Sequence, residues 1–298
     1  MSPRAELWRD LDTIAPLHLA GSWDNVGPLI DPPKSSDCEE RLFLTIDLTE
    51  RVFEEAMRWG ATVIIAYHPP IFGGLKRLDL SDHLGRVILR AIQAGVAIYS
   101  PHSALDAVDG GLCDWLSIPF ACLSAGEMLS AEEALSLIEE GAPLSGLDEV
   151  QPLEPSALSP KEGAGRLITL STPQPLESIL SALKDHLEID YFRVACAERI
   201  RDGVDQIKTI ALCPGAGGSL FAGRAEPDLF FTGEMSHHDT LHRVREGGAV
   251  ILTEHTRCER GFLPIWAARL RSKLSIDVQC SQLDDDPLTL WPPRPSSI

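Results

Sequence analysis

Basic residues are scarce in this chain. Lys and Arg number 26 against 44 Asp and Glu, a formal net charge of −18 over 298 residues. Such a balance gives no electrostatic footing for non-specific nucleic acid or for an anionic membrane surface, and no basic run interrupts it. Paired cysteines are also lacking. Cys38, Cys113, Cys122, Cys196, Cys213, Cys258 and Cys280 are scattered, odd in number and form no C-x-x-C pair. That argues against a structural zinc-thiolate site and for a reducing compartment. No apolar run approaches the roughly 18 residues of a membrane span. The first residues, MSPRAELWRDLDTIAPLHLA, carry early acids and no apolar signal core, so a cytoplasmic protein is expected, with a mitochondrial or nuclear pool as the alternative.

What is present is an ordinary globular composition, 44% hydrophobic and 23% charged. The length suffices for one large or two medium domains with a well-buried core. Short β-branched runs alternate with helical spacing, which predicts an α/β fold. Strands are expected over 42–48, 61–66, 96–99, 166–171, 191–196, 207–212, 228–232, 249–253 and 276–280. Helices are expected over 6–20, 50–59, 84–94, 130–140, 176–187, 237–246 and 263–274. Residues 141–165, rich in Pro, Gly, Ser and Glu without apolar periodicity, read as a mobile surface connection. The first βαβ unit predicts a parallel pair with a right-handed crossover.

The chemistry gathers where these strands end. ATVIIAYHPP places His68 at a strand terminus, stopped by two prolines that cannot donate to a ladder. His102 and Asp106 follow VAIYS, and His255 and Glu259 follow AVILTE. In open α/β sheets that edge binds ligands. Imidazole and carboxylate recurring there suit zinc, manganese or iron. Each residue has a plain alternative. His68 fits a hydrogen-bonded strand-end histidine, Asp106 a helix-capping acid, and Glu259 the acid of a T-x-x-E capping box with Thr256. Asp24 and Asn25 fit an Asx turn, Lys76 an exposed loop, and the glycines of CPGAGGS a tight turn. Functionally, Asp24, Asn25, Lys76, Gly217 and Ser219 are candidates to receive a substrate. Asp47 is a candidate to support a ligand from behind. Glu234, His237 and His238 are candidate acid/base groups. Ser236 and Asp239 make a helix cap, which leaves the two histidines without a structural task.

WDNVGPLI, YHPPIFGGLKRL, HSALDAVDGGLCDWL, CPGAGGS, FFTGEMSHHD and EHTRCERGFL occur in that order from Trp23 to Leu263. Together they resemble the Nif-three-like family, also labelled GTP cyclohydrolase 1 type 2 homologues, in its eukaryotic-type branch. The resemblance implies two similar α/β lobes with mixed sheets, a metal pair in the cleft between them, and a toroidal homo-hexamer. The lobes would be 1–122 completed by 250–298, and 123–249. It implies His68, Asp106, His255 and Glu259 as metal ligands. Where many bacterial members have a further histidine ligand this chain has Tyr67, so Tyr67 or His102 is the expected additional ligand, and one or two divalent ions are expected per chain. The implied function is a metal-dependent hydrolase acting on a nucleotide or phosphoester. The alternative is an interaction or transcription-regulatory scaffold with protein partners and a structural metal.

Overall fold

The computed structural model describes residues 4–33, 39–126, 129–140, 142–223 and 226–289. Along the chain these form α1 (Ala5–Ile14), β1 (Gly27–Ile30), β2 (Arg41–Thr45), α2 (Glu50–Trp59), β3 (Val63–Ala66), α3 (His83–Ala94), β4 (Ala97–Ser100), α4 (His102–Ala107), α5 (Leu112–Ala125) and α6 (Ala131–Glu139). There follow β5 (Leu147–Gln151), β6 (Glu154–Pro155), β7 (Gly163–Ala164), β8 (Arg166–Gln174), α7 (Leu176–Leu187), β9 (Arg193–Cys196), α8 (Glu198–Arg201), β10 (Ile207–Cys213) and α9 (Gly218–Phe221). The last elements are β11 (Leu229–Thr232), α10 (His237–Arg245), β12 (Ala249–Leu252), α11 (Phe262–Leu274) and β13 (Asp277–Cys280).

Two mixed sheets carry the fold. One has the order β1-β4-β3-β2-β13, the other β5-β8-β10-β11-β12-β9. In the first, β13, β2, β3 and β4 are parallel and β1 closes the edge antiparallel. In the second, β10, β11 and β12 are parallel, flanked by antiparallel β8 and β9. The period-2 alternation of strand side chains decides which face meets which core. Leu42 and Leu44 of β2 and Val63 and Ile65 of β3 join one large cluster, while Phe43 and Ile64 face the opposite side with α2 and α3. In the second sheet Ile210, Leu212, Leu229, Phe231, Ala249 and Ile251 enter that same large cluster. Ala211, Phe230 and Val250 form a smaller one behind it. Both sheets therefore share one core.

Helix ends follow their sequence signals. The Thr49 side chain accepts from Val52 N, and Gly60 ends α2 at φ 85°. Asp82 accepts from Gly85 N, and Gly95 ends α3 at φ 71°. Glycine carries no Cβ penalty in that left-handed conformation.

Several expectations are corrected. α1 stops at Ile14, and a short 3₁₀ turn, Leu17–Leu19, follows Pro16. The strand expected over 42–48 ends at Thr45, which releases Ile46 and Asp47 toward the sheet edge. Residues 142–165 carry short strands, β5 paired with β8 and β6 with β7, while Gly141 lies outside the described residues. The apolar stretch beginning near Val108 is the long helix α5, buried almost all round with Pro119 inside it. β12 lies in the six-stranded sheet and β13 in the five-stranded one.

Candidate metal centre

The C-terminal ends of the parallel strands from both sheets converge on one cleft of about 1050 Å³. β3 runs out into Tyr67 and His68, whose backbone N–H groups still donate to Thr45 and Ile46. β4 leads into His102, β10 into Gly215, and β12 into His255. Glu259 follows one 3₁₀ turn later.

Three side chains meet there. One ligand atom each of His68, His255 and Glu259 lies within 4.8 Å of the others. His68 Nε2 is 3.4 Å from Glu259 Oε2, and His255 Nε2 is 3.8 Å from Glu259 Oε1. Glu259 is 2% exposed. Among the described residues, neither His68 Nε2 nor Glu259 Oε2 has a hydrogen-bond partner beyond this 3.4 Å approach to one another, although both are buried. Buried polar atoms left unpaired cost stability, so this pair needs a further occupant. Gly215 makes room for it. A Cβ at that position would stand 2.9 Å from Glu259 Oε1 and 3.0 Å from His255 Nε2, and its φ of 57° is one glycine tolerates.

Support from behind is equally specific. His68 Nδ1 donates to Asp47 Oδ1 at 2.9 Å, which selects the tautomer that turns the Nε2 lone pair into the cleft. Asp47 Oδ2 accepts from Arg260 Nη2 at 3.3 Å, and Arg260 Nη1 pairs with Asp284 Oδ1 at 2.9 Å. Asp284 Oδ2 in turn accepts from Ile46 N and Thr45 Oγ1. The acidic tail is thus folded back as part of the site. Burial disfavours a charged His68, yet the neighbouring Asp47 and Glu259 carboxylates outweigh it and lift its pKa to about 10. A proton or a metal cation answers the same electrostatic demand, and imidazole with carboxylate is a donor set for a divalent ion. The residues present fit such an ion.

The remaining candidates separate. Asp106 is not in the group that closes on one point. Its Oδ1 accepts from Tyr67 Oη at 2.6 Å, and burial, the largest influence on it, pushes its pKa up to about 7. Tyr67 is a donor to that acid, and burial followed by the charges of Asp106 and Glu259 drives its pKa well above the ordinary phenol value. It is placed as a neutral phenol. His102 lines the cleft with its ring centroid 5.5 Å from that of His68. Asp24 lies behind His102, accepting from Nδ1 at 2.8 Å and from Ser103, so it orients an imidazole and does not line the cleft. Asn25 is exposed and donates to Ile71 O.

Ser219 lines the cleft, whereas Gly217 packs its α-carbon against Thr232 and Cys213. Glu234 Oε2 is 3.6 Å from His255 Nδ1, beside the site and exposed. His237 and His238 are exposed on α10, touch each other ring to ring at 5.5 Å, and do not line the cleft; nor does the exposed Lys76. The Thr256–Glu259 capping box does not form: Thr256 Oγ1 donates to Asp286 and accepts from Arg260. Sequence reasoning missed Arg260 and Asp284. The only local signal was an arginine directly after a ligand candidate.

Comparison with known proteins identifies the family. A family model described as Duf34/NIF3 (NGG1p interacting factor 3) matches residues 3–287. The chain is 33% identical to NIF3-like protein 1 of Homo sapiens, covering 95% of this chain and 91% of that one. It is 35% identical to NGG1-interacting factor 3 of Saccharomyces cerevisiae, covering 90% of each. Among solved structures it resembles Staphylococcus aureus protein SA1388, with a TM-score of 0.71, 23% identity and coverage of 96% and 98%. Reduced HcgD from Methanocaldococcus jannaschii superposes with a TM-score of 0.70 at 18% identity, over 93% of this chain and 96% of that one. These two likenesses concern the fold. No helix among the described residues is long and apolar enough to cross a membrane.

Proposed function

The chain belongs to the Duf34/NIF3 family, and on that premise we propose that it is a divalent-metal-dependent hydrolase. The observation that carries the reading is the unpartnered pair His68 Nε2 and Glu259 Oε2, facing an open cleft beside His255. A wholly structural metal site is closed by protein ligands, whereas a catalytic one keeps a position open to substrate.

His68, His255 and Glu259 would hold the ion. A divalent ion in such a site acts as a Lewis acid and brings the pKa of water toward 7. The chain's own groups do the rest. Asp47 fixes the His68 ring, and Arg260 holds Asp47. Tyr67 and Asp106 share a proton at the cleft wall, and His102 presents an imidazole steadied by Asp24. Glu234 beside His255 is the acid/base candidate nearest the ligands. With His237 and His238 outside the cleft, the case for catalysis rests on the cleft alone. The reading includes a homo-hexameric ring, a cytoplasmic location and a substrate of nucleotide or phosphoester type. The test is hydrolysis of bis-p-nitrophenyl phosphate and a nucleotide panel by the full chain supplied with manganese or zinc. Turnover that disappears in His255→Ala supports the proposal; no turnover of any substrate by the metal-loaded chain contradicts it.

A second reading draws on the relatives' names, which describe an interacting factor. In it the metal is structural and a protein partner is the ligand. The exposed histidines of α10, lying away from the cleft, favour it to that extent.

A further inference from the structure

Trp23 stands at the metal cleft with 66% of its surface exposed, and Phe72 beside it is 54% exposed. Their rings meet edge to face at 6.1 Å. Each also meets His102 edge to face, at 5.9 and 6.1 Å. Two large aromatic side chains packed around a cleft imidazole form an apolar surface left uncovered by the described residues, the kind that marks a ligand-binding groove. Their placement is built in. A Cβ on Gly21 would lie 2.5 Å from the Trp23 indole nitrogen, so the indole rests where only glycine leaves space. Pro155 and Leu158 also line the cleft, the latter 76% exposed.

The charge of the lining is the second observation. Among the described residues that line the cleft there is no Lys or Arg; its ionisable groups are imidazoles, carboxylates, Tyr67 and Cys213. The nearby basic residues Lys76 and Arg77 lie in an exposed loop outside it. α9, which follows the glycine-rich turn, has four residues and is too short to gather an anion at its N-terminus. Apart from a bound metal ion, polyphosphates are held by guanidinium, ammonium or long helix termini, and the described residues lining this cleft offer none of these three.

We propose that the cleft takes a flat heteroaromatic ring stacked on Trp23 with its edge toward Phe72, carrying at most one anionic group, and that it does not select polyphosphates. Stacking on an aromatic face is available to any planar ring and needs no cation. The inference rests on the metal reading above only for what anchors the ring's polar substituent, and it narrows the nucleotide class named there to bases, nucleosides and similar heterocycles.

The experiment is ligand-detected NMR followed by calorimetry on the full chain, with guanosine, adenosine, nicotinate, GTP and ribose 5-phosphate as probes. At least one ring compound is expected to bind, GTP no tighter than guanosine, and ribose 5-phosphate more weakly than both. Trp23→Ala is expected to weaken ring binding by about tenfold or more, the loss seen when a stacking aromatic is removed. Gly21→Val, which displaces the indole and adds no polar or charged group to the cleft, should do the same. The inference is overturned if no ring compound binds, if GTP binds tenfold tighter than guanosine, or if Trp23→Ala binds as the parent does. A fall in oligomer mass for Trp23→Ala with ring binding unchanged also overturns it, because the indole then serves contacts between copies. Elemental analysis of the same samples keeps the two readings apart: a chain without metal that still binds guanosine through Trp23 fails the metal reading and leaves this one standing.

Discussion

Asp47 and His68 are joined Oδ1 to Nδ1 at 2.9 Å, each two residues past the end of one of two adjacent parallel strands. The carboxylate faces one nitrogen and leaves the other, Nε2, buried and without a partner. A histidine held in this way is prepared as a ligand before any ion arrives.

Removing that support should therefore weaken the metal without removing a ligand. Asp47→Ala is expected to lower metal affinity by about 10- to 100-fold, the usual cost of losing a partner behind a ligating histidine. Competition against a chelating dye measures it. Affinity equal to the parent's would mean that Asp47 only pairs with Arg260.

Gly215 gives a steric prediction. Gly215→Ala must hold φ near 57° and place a methyl 2.9 Å from Glu259 Oε1 and 3.0 Å from His255 Nε2. The backbone cost is about 1 kcal/mol, so the variant should fold, with a slightly lower melting temperature. Its metal content should nevertheless fall sharply. Full metal content in a folded variant would show that the ion lies elsewhere.

Beneath the cleft, Arg166 and Asp114 form a buried two-point pair, Nε to Oδ1 at 2.6 Å and Nη2 to Oδ2 at 3.0 Å. Arg166 also donates to the backbone oxygens of Gly163, Gly165 and Ala107, tying β7 and α4 to β8. Arg166→Met leaves the buried Asp114 carboxylate without its countercharge, with only the Gly110 N–H still donating to it, and should cost about 3–5 kcal/mol. Arg166→Met with Asp114→Leu should recover part of that loss. Denaturant unfolding of both variants checks the sign, and a double variant no more stable than the single one would contradict it.

His186 supplies the pH dependence. It packs on Trp115 with ring centroids 4.4 Å apart, and burial pushes its pKa from 6.5 down to about 4. The unfolded chain takes up this proton at a higher pH than the folded one. The contribution is therefore fully present above about pH 6.5 and is lost as pH falls toward 4, by up to about 3 kcal/mol. His186→Leu should flatten that window in urea titrations at pH 4.5 and 7. An unchanged pH slope would assign the acid sensitivity to the carboxylates instead.

The sequence carried the strand ends well because they are local signals. A β-branched run halted by Pro69 and Pro70 places His68 without tertiary knowledge, and the same holds for His255 after AVIL. Other features were beyond local pattern. β5, Leu-Asp-Glu-Val-Gln, is an exposed edge strand with almost no buried residue, so it shows no apolar alternation. α5 is buried almost all round, which erases the helical stripe. The hydrogen bond from Tyr67 to Asp106 Oδ1 joins residues 39 positions apart, which no local pattern shows. Asp284 looked like part of an acidic tail, and its partners Thr45 and Ile46 stand more than 230 positions earlier in the chain.

The most direct test of the account is metal content. The full chain would be purified without a metal-binding tag and analysed by elemental mass spectrometry beside Glu259→Ala, with circular dichroism to confirm that both are folded. The account predicts at least one divalent ion per chain in the parent and its loss in the variant. A parent that takes up no zinc, manganese or iron on reconstitution, or a variant that binds them equally well, would contradict it.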